Sequence, residues 1–387
     1  MLKARVSILS VTIVAFAVLA LAIFATKPRV ADQTKPSANL LASSQQGIPL
    51  KQSLPTPQAK LDPIKGFPAL TTLLAAKTAS DAKAAWMAAR QELLSHPNGS
   101  QALSAILSAL EGGADLQLES RFKVGANGEL LEAPSLRVYL LDLLAQIDNK
   151  EAARYARLLL DQSASSDEWA IAMRNYAWGT DNASSDPFLR SKTKELISNQ
   201  TWINNPTAGF LEAFDFVPYT GDPDLIAPLA DLTHRDPQDP VRRAAFLALA
   251  RFITDDSSAG LKAVARAEQQ QLFSPLRADT MARADFTKAD DIEIVRQYLL
   301  NQAIDPQEYA IFANSFPHGG QFAGATIATS FKPLSIPELA KRDAQALKIF
   351  GAWLQDPVFE PRRAELLRIH NKLERLNQSA VAGGYLN

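Results

Sequence analysis

The chain has 387 residues, 47% apolar and 21% charged, with 40 Lys plus Arg against 41 Asp plus Glu. That length holds about two domains or one long repeat array, and that composition is globular rather than disordered. A net charge of −1 with no concentrated basic stretch argues against nucleic acid as the main partner, and the lack of cysteine removes disulfides, thiolate nucleophiles, iron–sulfur clusters and cysteine zinc sites.

The amino terminus carries an address. Lys3 and Arg5 precede Val6 to Thr26, 21 uncharged residues whose polar members are Ser7, Ser10, Thr12 and Thr26. At 1.5 Å per residue this run crosses the roughly 30 Å hydrocarbon core as one helix. A signal peptide has a shorter apolar region and a small-x-small site; Ala20-Leu21-Ala22 could serve, yet the apolar run continues past it to Phe24. Residues 1–26 therefore read as an uncleaved transmembrane anchor in the bilayer through residues 6–26, with a cleaved signal sequence as the alternative. The short basic end most simply stays in the cytoplasm while the body is exported. The expected location is the bacterial inner membrane, single-pass, with the body in the periplasm, or a secreted protein after cleavage.

Residues 27–66 carry Pro28, Pro36, Pro49, Pro55, Pro57 and Pro63 among Ser, Gln, Lys and Ala without a sustained apolar period, which predicts an extended linker. From Phe67 the pattern changes. Apolar residues recur at steps of three and four in 81–95, 101–111, 135–147, 150–161, 167–178, 187–198, 223–233, 240–253, 259–270, 288–300, 306–315, 336–354 and 361–376. Asp81, Asp167 and Ser258 suit N-caps, Pro187, Pro240, Pro306 and Pro337 suit first turns, and Gly112 and Gly179 suit the left-handed residue that closes a helix. Leu116 to Glu132 alternates around Asn127-Gly128 and predicts one β-hairpin. The expected class is all-α: a helical region over 67–215, then a second over 216–387.

Leu225 to Phe252 reads LIAPLADLTHRDPQDPVRRAAFLALARF. This resembles a HEAT repeat: an apolar-spaced helix, an Asp-containing turn at Asp236-Pro237, and Pro240-Val241-Arg242 opening a second helix rich in Ala and Leu. A shift of 120 residues aligns Asp236-Pro237 with Asp356-Pro357 and Arg242-Arg243-Ala244 with Arg362-Arg363-Ala364, which is three periods of about 40. The resemblance implies an irregular α-solenoid of stacked helix pairs over 216–387.

The chemical signals are sparse. No G-x-S-x-G, H-E-x-x-H, Walker A, G-x-G-x-x-G or EF-hand pattern occurs, so no catalytic residue, cofactor or metal ligand is nominated. Ser80-x-x-Lys83 and Ser191-x-x-Lys194 lack the accompanying K-T-G and suit solvated helix faces. Paired carboxylates such as Glu212 with Asp215 are common in helices and do not define a glycosidase pair. His318 stands in a glycine-rich loop, Phe316-Pro317-His318-Gly319-Gly320-Gln321-Phe322, while Trp202, Phe210, Phe214, Phe216 and Tyr219 form the densest aromatic stretch. Phe210 and Phe214 lie four apart, which favours core packing. Phe316, His318, Gln321, Phe322, Trp202, Phe216 and Tyr219 are the candidate partner-binding residues.

The expected function is that of a membrane-anchored, periplasmic helical-repeat scaffold or adaptor whose partner is another protein. One alternative is a tethered foldase: anchor, linker and all-α body resemble the lipase-specific foldases, and Phe214-Asp215-Phe216 with Gly221-Asp222 is similar to their Phe-Asp-Tyr…Gly-Glu signature without its leading arginine. The other is a helical enzyme acting on cell-wall glycan, which needs a cleft with two opposed carboxylates.

Overall fold

The structure, a computed structural model, describes residues 64–162, 165–255, 257–266, 274–318, 324–329 and 334–386. The chain divides into two units, 1–56 and 57–387, and all of these residues belong to the second. The anchor expected at 1–26 and the linker up to residue 63 lie outside the described residues. Ile64–Gly66 form a single 3-10 turn.

Three helices, α1 (Pro68–Leu74), α2 (Ala79–Leu94) and α3 (Gly99–Glu111), lead into an antiparallel pair of short strands, β1 (Lys123–Val124) and β2 (Leu130–Glu132). The expected hairpin is present, with Gly128 at φ 83° in its turn and a bulge between the pairs Lys123–Glu132 and Val124–Leu130. Helices then follow without further strands among the described residues: α4 (Leu136–Ile147), α5 (Asn149–Leu160), α6 (Ser166–Gly179), α7 (Pro187–Ser198), and the short α8 (Gln200–Asn204), α9 (Ala208–Glu212) and α10 (Phe216–Thr220). Next are α11 (Ile226–Leu232), α12 (Pro240–Asp255), α13 (Ser257–Arg266), α14 (Ser274–Met281), α15 (Ala289–Leu300), α16 (Pro306–Ser315), α17 (Ile336–Trp353) and α18 (Arg363–Ala382). The all-α class is therefore observed.

Local chemistry sets these boundaries. Asn98, Ser135, Asp148, Ser165, Asp186 and Asp305 each accept a backbone N–H in the first turn they precede, satisfying donors that the helix itself leaves unpaired. Pro187, Pro306 and Pro337 occupy first turns as expected, where a missing N–H costs nothing. Ser335 and Glu338 complete a reciprocal capping box at the start of α17.

The helices pack in two rows. Helices α2, α4, α6, α9, α12, α14, α16 and α18 touch in that order; α7, α11, α13, α15 and the 3-10 turn Pro357–Arg362 touch in a second order beside them. Packing is continuous through residues 215–216, where α10 rests on both α7 and α12. In the helix pair α11–α12, two turn aspartates are bound: Asp236 accepts the Gln238 N–H (2.8 Å), and Asp239 accepts the Val241 N–H (2.8 Å) and the Arg235 Nε–H (2.6 Å), while Val241, Ala245 and Leu249 are buried. The later pair α17–α18 is joined by a turn in which Asp356 accepts the Val358 N–H.

One connection departs from the rows. Residues 316–335 join α16 to α17, and within them Ile327 lies against Gly128 of the hairpin turn and Ala328 and Thr329 against Asp215 beyond α9.

Candidate functional site

The aromatic candidates mostly build the core. Phe216 and Phe316 are buried: Phe216 packs edge-on to Tyr219, and Phe316 sits among Phe286, Phe312 and Phe350 with ring centroids 5.1–5.7 Å away. Neither is the partner-binding residue expected from the sequence, because a ring enclosed on all sides has no face left for a partner. Trp202 is half-buried and edge-on to Trp169 and Phe210, and Phe210 meets Phe214 at 5.3 Å, so this run is a packed ladder. Tyr219 is half-buried as well, and Gln321 and Phe322 lie outside the described residues. The serine–lysine pairs at 80/83 and 191/194 stand on exposed helix faces.

His318 lines a cavity of about 30 Å³ with Phe286, Pro317, Leu339 and Arg342. Burial, reinforced by the Arg283, Arg342 and Lys372 charges and opposed by Asp279, pushes its imidazole down to about 4, so it is neutral at neutral pH. Lys372, itself lowered by burial, donates to the carbonyls of Asn314 and Phe316 and pins α18 to the end of α16.

The depressed imidazole has a measurable consequence. Unfolding takes up a proton between pH 4 and 6.5, so the stability His318 contributes is full above pH 6.5 and lost as the pH falls toward 4. Stability of the wild type is expected to drop on acidification by up to about 3 kcal/mol relative to His318→Gln, read by urea titrations at pH 7 and pH 4.5. Parallel profiles for the two proteins would refute it. Asp215 acts in the opposite sense but is common to both and cancels.

The most concentrated polar geometry lies at Glu212 and Asp215. Thr207 caps α9 by accepting the Phe210 N–H, and Asp167 Oδ1 accepts the Gly209 N–H at 2.8 Å. The chain then tightens into a 3-10 turn at Ala213–Asp215 before α10. This turn presents two carboxylates, three residues apart, to the segment 326–329. Asp215 Oδ2 accepts the successive N–H groups of Ala328 and Thr329, both at 2.8 Å, and Oδ1 accepts the Thr329 hydroxyl at 2.6 Å. The Thr326 backbone lies beside Glu212 and favours its charged form. Two consecutive amides closing on one oxygen form a small anion-binding nest.

Ile327 is 1% exposed, and its carbonyl and the Trp178 ring approach so closely that a Cβ on Gly128 would lie 2.8 and 3.0 Å from them. Asp215 is 3% exposed; burial raises its carboxyl to about 6 against the pull of the Thr329 and Ala328 donors and of Arg251. Glu212 is raised by burial and then by Asp215. In this state both oxygens of Asp215 are occupied by the chain's own segment 328–329.

No family model, curated protein or solved structure matches the chain. Among the described residues no three His, Asp or Glu side chains are grouped as a metal would require.

Proposed function

We propose that this protein is a membrane-tethered, extracytoplasmic adaptor whose helical body is an irregular HEAT-like α-solenoid that binds another protein. The observation that carries the reading is the pair of ordered helix rows, because each unit touches its neighbours and the stack presents long continuous faces for its mass. The pairs α11–α12 and α17–α18 fall at the positions of the repeat-like sequence, which supports the repeat reading. No helix among the described residues is long and apolar enough to cross a membrane, so tethering rests on residues 6–26 of the sequence. The foldase-like residues Phe214 and Phe216 are buried and Asp215 binds the chain's own backbone, which leaves the adaptor reading ahead.

The test is affinity capture of the intact chain extracted from membranes, with mass spectrometry of what accompanies it. A stoichiometric protein partner is expected. Fractionation of the full chain with soluble protein, or recovery of no partner at native abundance, would overturn the proposal.

A further inference from the structure

We infer that the Glu212–Asp215 clasp is a binding site for a bent peptide segment of a partner, and that residues 326–329 occupy it in cis as a displaceable stand-in. The inference deepens the adaptor reading and rests on it. Its starting point is the length of the connection. Pro317 and His318, just after α16, line one cavity with Leu339 and Arg342, in the first turns of α17, so the two ends of the connection already meet. Helices so placed are joined by about 2–8 residues. The chain instead has residues 316–335 there, and it carries 326–329 to carboxylates more than a hundred positions earlier in the sequence. The described residues of this connection are neither helix nor strand, and long connections of that kind are usually functional.

The contacts define what the clasp recognises. Two backbone N–H groups, at 328 and 329, meet Asp215, and this part of the recognition is independent of sequence. One apolar side chain, Ile327, is buried, and one hydroxyl, Thr329, reaches Asp215 Oδ1. Residues 325, 326, 328 and 329 are half-buried, and residue 324 is exposed. The fitting ligand is therefore a bent segment reading apolar–small–Ser/Thr with unblocked amides. A competing segment must supply the same donors, since a carboxylate 3% exposed is costly to leave unpaired. Binding in trans exchanges one set of bonds for an equivalent set, as in other sites where an internal segment holds the place of the ligand.

The test uses the full chain and a fluorescent, end-capped peptide, Gly-Ala-Thr-Ile-Ala-Thr, which is the sequence of residues 324–329. In one variant residues 320–333 are replaced by a short Gly-Ser linker; in a second, retained in case the first does not fold, Ile327→Ala and Thr329→Ala weaken the cis contact. Each is checked for a cooperative melt. The peptide is expected to bind either variant at least tenfold more tightly than wild type, and addition of Asp215→Ala is expected to abolish the gain. Equal, undetectable binding by the folded variants and wild type would overturn the inference, as would a gain that survives Asp215→Ala. Capture of the same partner by wild-type and Asp215→Ala baits would sink the clasp while leaving the adaptor reading intact; loss of the partner from the Asp215→Ala bait alone supports both.

Discussion

Replacing Arg174 by leucine is expected to cost about 3–5 kcal/mol, because it leaves a carboxylate buried without its partner. Arg174 and Asp142 are each 0% exposed and meet at 2.5 Å. The guanidinium also donates to the Gly128 carbonyl and, through Nε and Nη2, to Asn175, while Trp178 lies 4.1 Å beneath it. Asp142 in turn accepts the Leu130 N–H and the Gln146 amide. The pair thus ties α4 and α6 to the hairpin where its turn leads into β2. Burial lowers the Arg174 pKa even against the Asp142 charge, so desolvation outweighs the attraction. The double variant Asp142→Leu/Arg174→Leu is therefore expected to recover most of the loss. Urea titration of both singles and the double gives the coupling; a single-variant loss under about 1 kcal/mol would show that water or a neighbour replaces the lost partner.

Gly179→Ala is expected to cost about 3 kcal/mol or more by overpacking. Gly179 ends α6 where that helix crosses the start of α5, and a Cβ there would stand 1.9 Å from the Asn149 carbonyl oxygen and 2.7 Å from Ala153 Cβ. Backbone cannot rotate away as a side chain can, so α5 and α6 must separate. Gly99→Ala is the matched control: it opens α3 and has no atom within 4 Å of a new Cβ. It should be neutral or stabilising by under about 1 kcal/mol. Equal denaturation midpoints for the two variants would refute the close-approach account.

Gly179 also marks where local sequence signals stop. Its position after an apolar-periodic run predicts a left-handed helix end, but the residue is required by a neighbour 30 positions earlier in sequence, and no pattern within one helix contains that neighbour. Gly112 fails the same expectation for a local reason: it stays right-handed at φ −68°, and Gly113 turns instead at φ 74°. Asp81 and Asp167 were the expected caps, whereas Thr78 and Ser165 cap those helices; Asp167 is used for tertiary contact with Gly209. First-turn prolines were legible because their effect is confined to one turn. Glu212 and Asp215 are ordinary as a sequence pair. What singles them out is the arrival of Thr326, Ala328 and Thr329, whose sequence gives no periodic signal and whose partners lie across the body.

The segment 326–329 changes how the whole body should melt. Stacked units that touch only their neighbours can fray from either end, each losing its order almost independently. A brace from Asp215 to Thr329, and from Gly128 to Ile327, closes a loop around the intervening units, so none of α10 to α16 can come loose without either breaking the brace or carrying it along. Fraying is then confined to the outer helices. The enclosed stretch behaves as one cooperative block, and folding must wait for a contact between residues 113 and 114 positions apart before that block is complete.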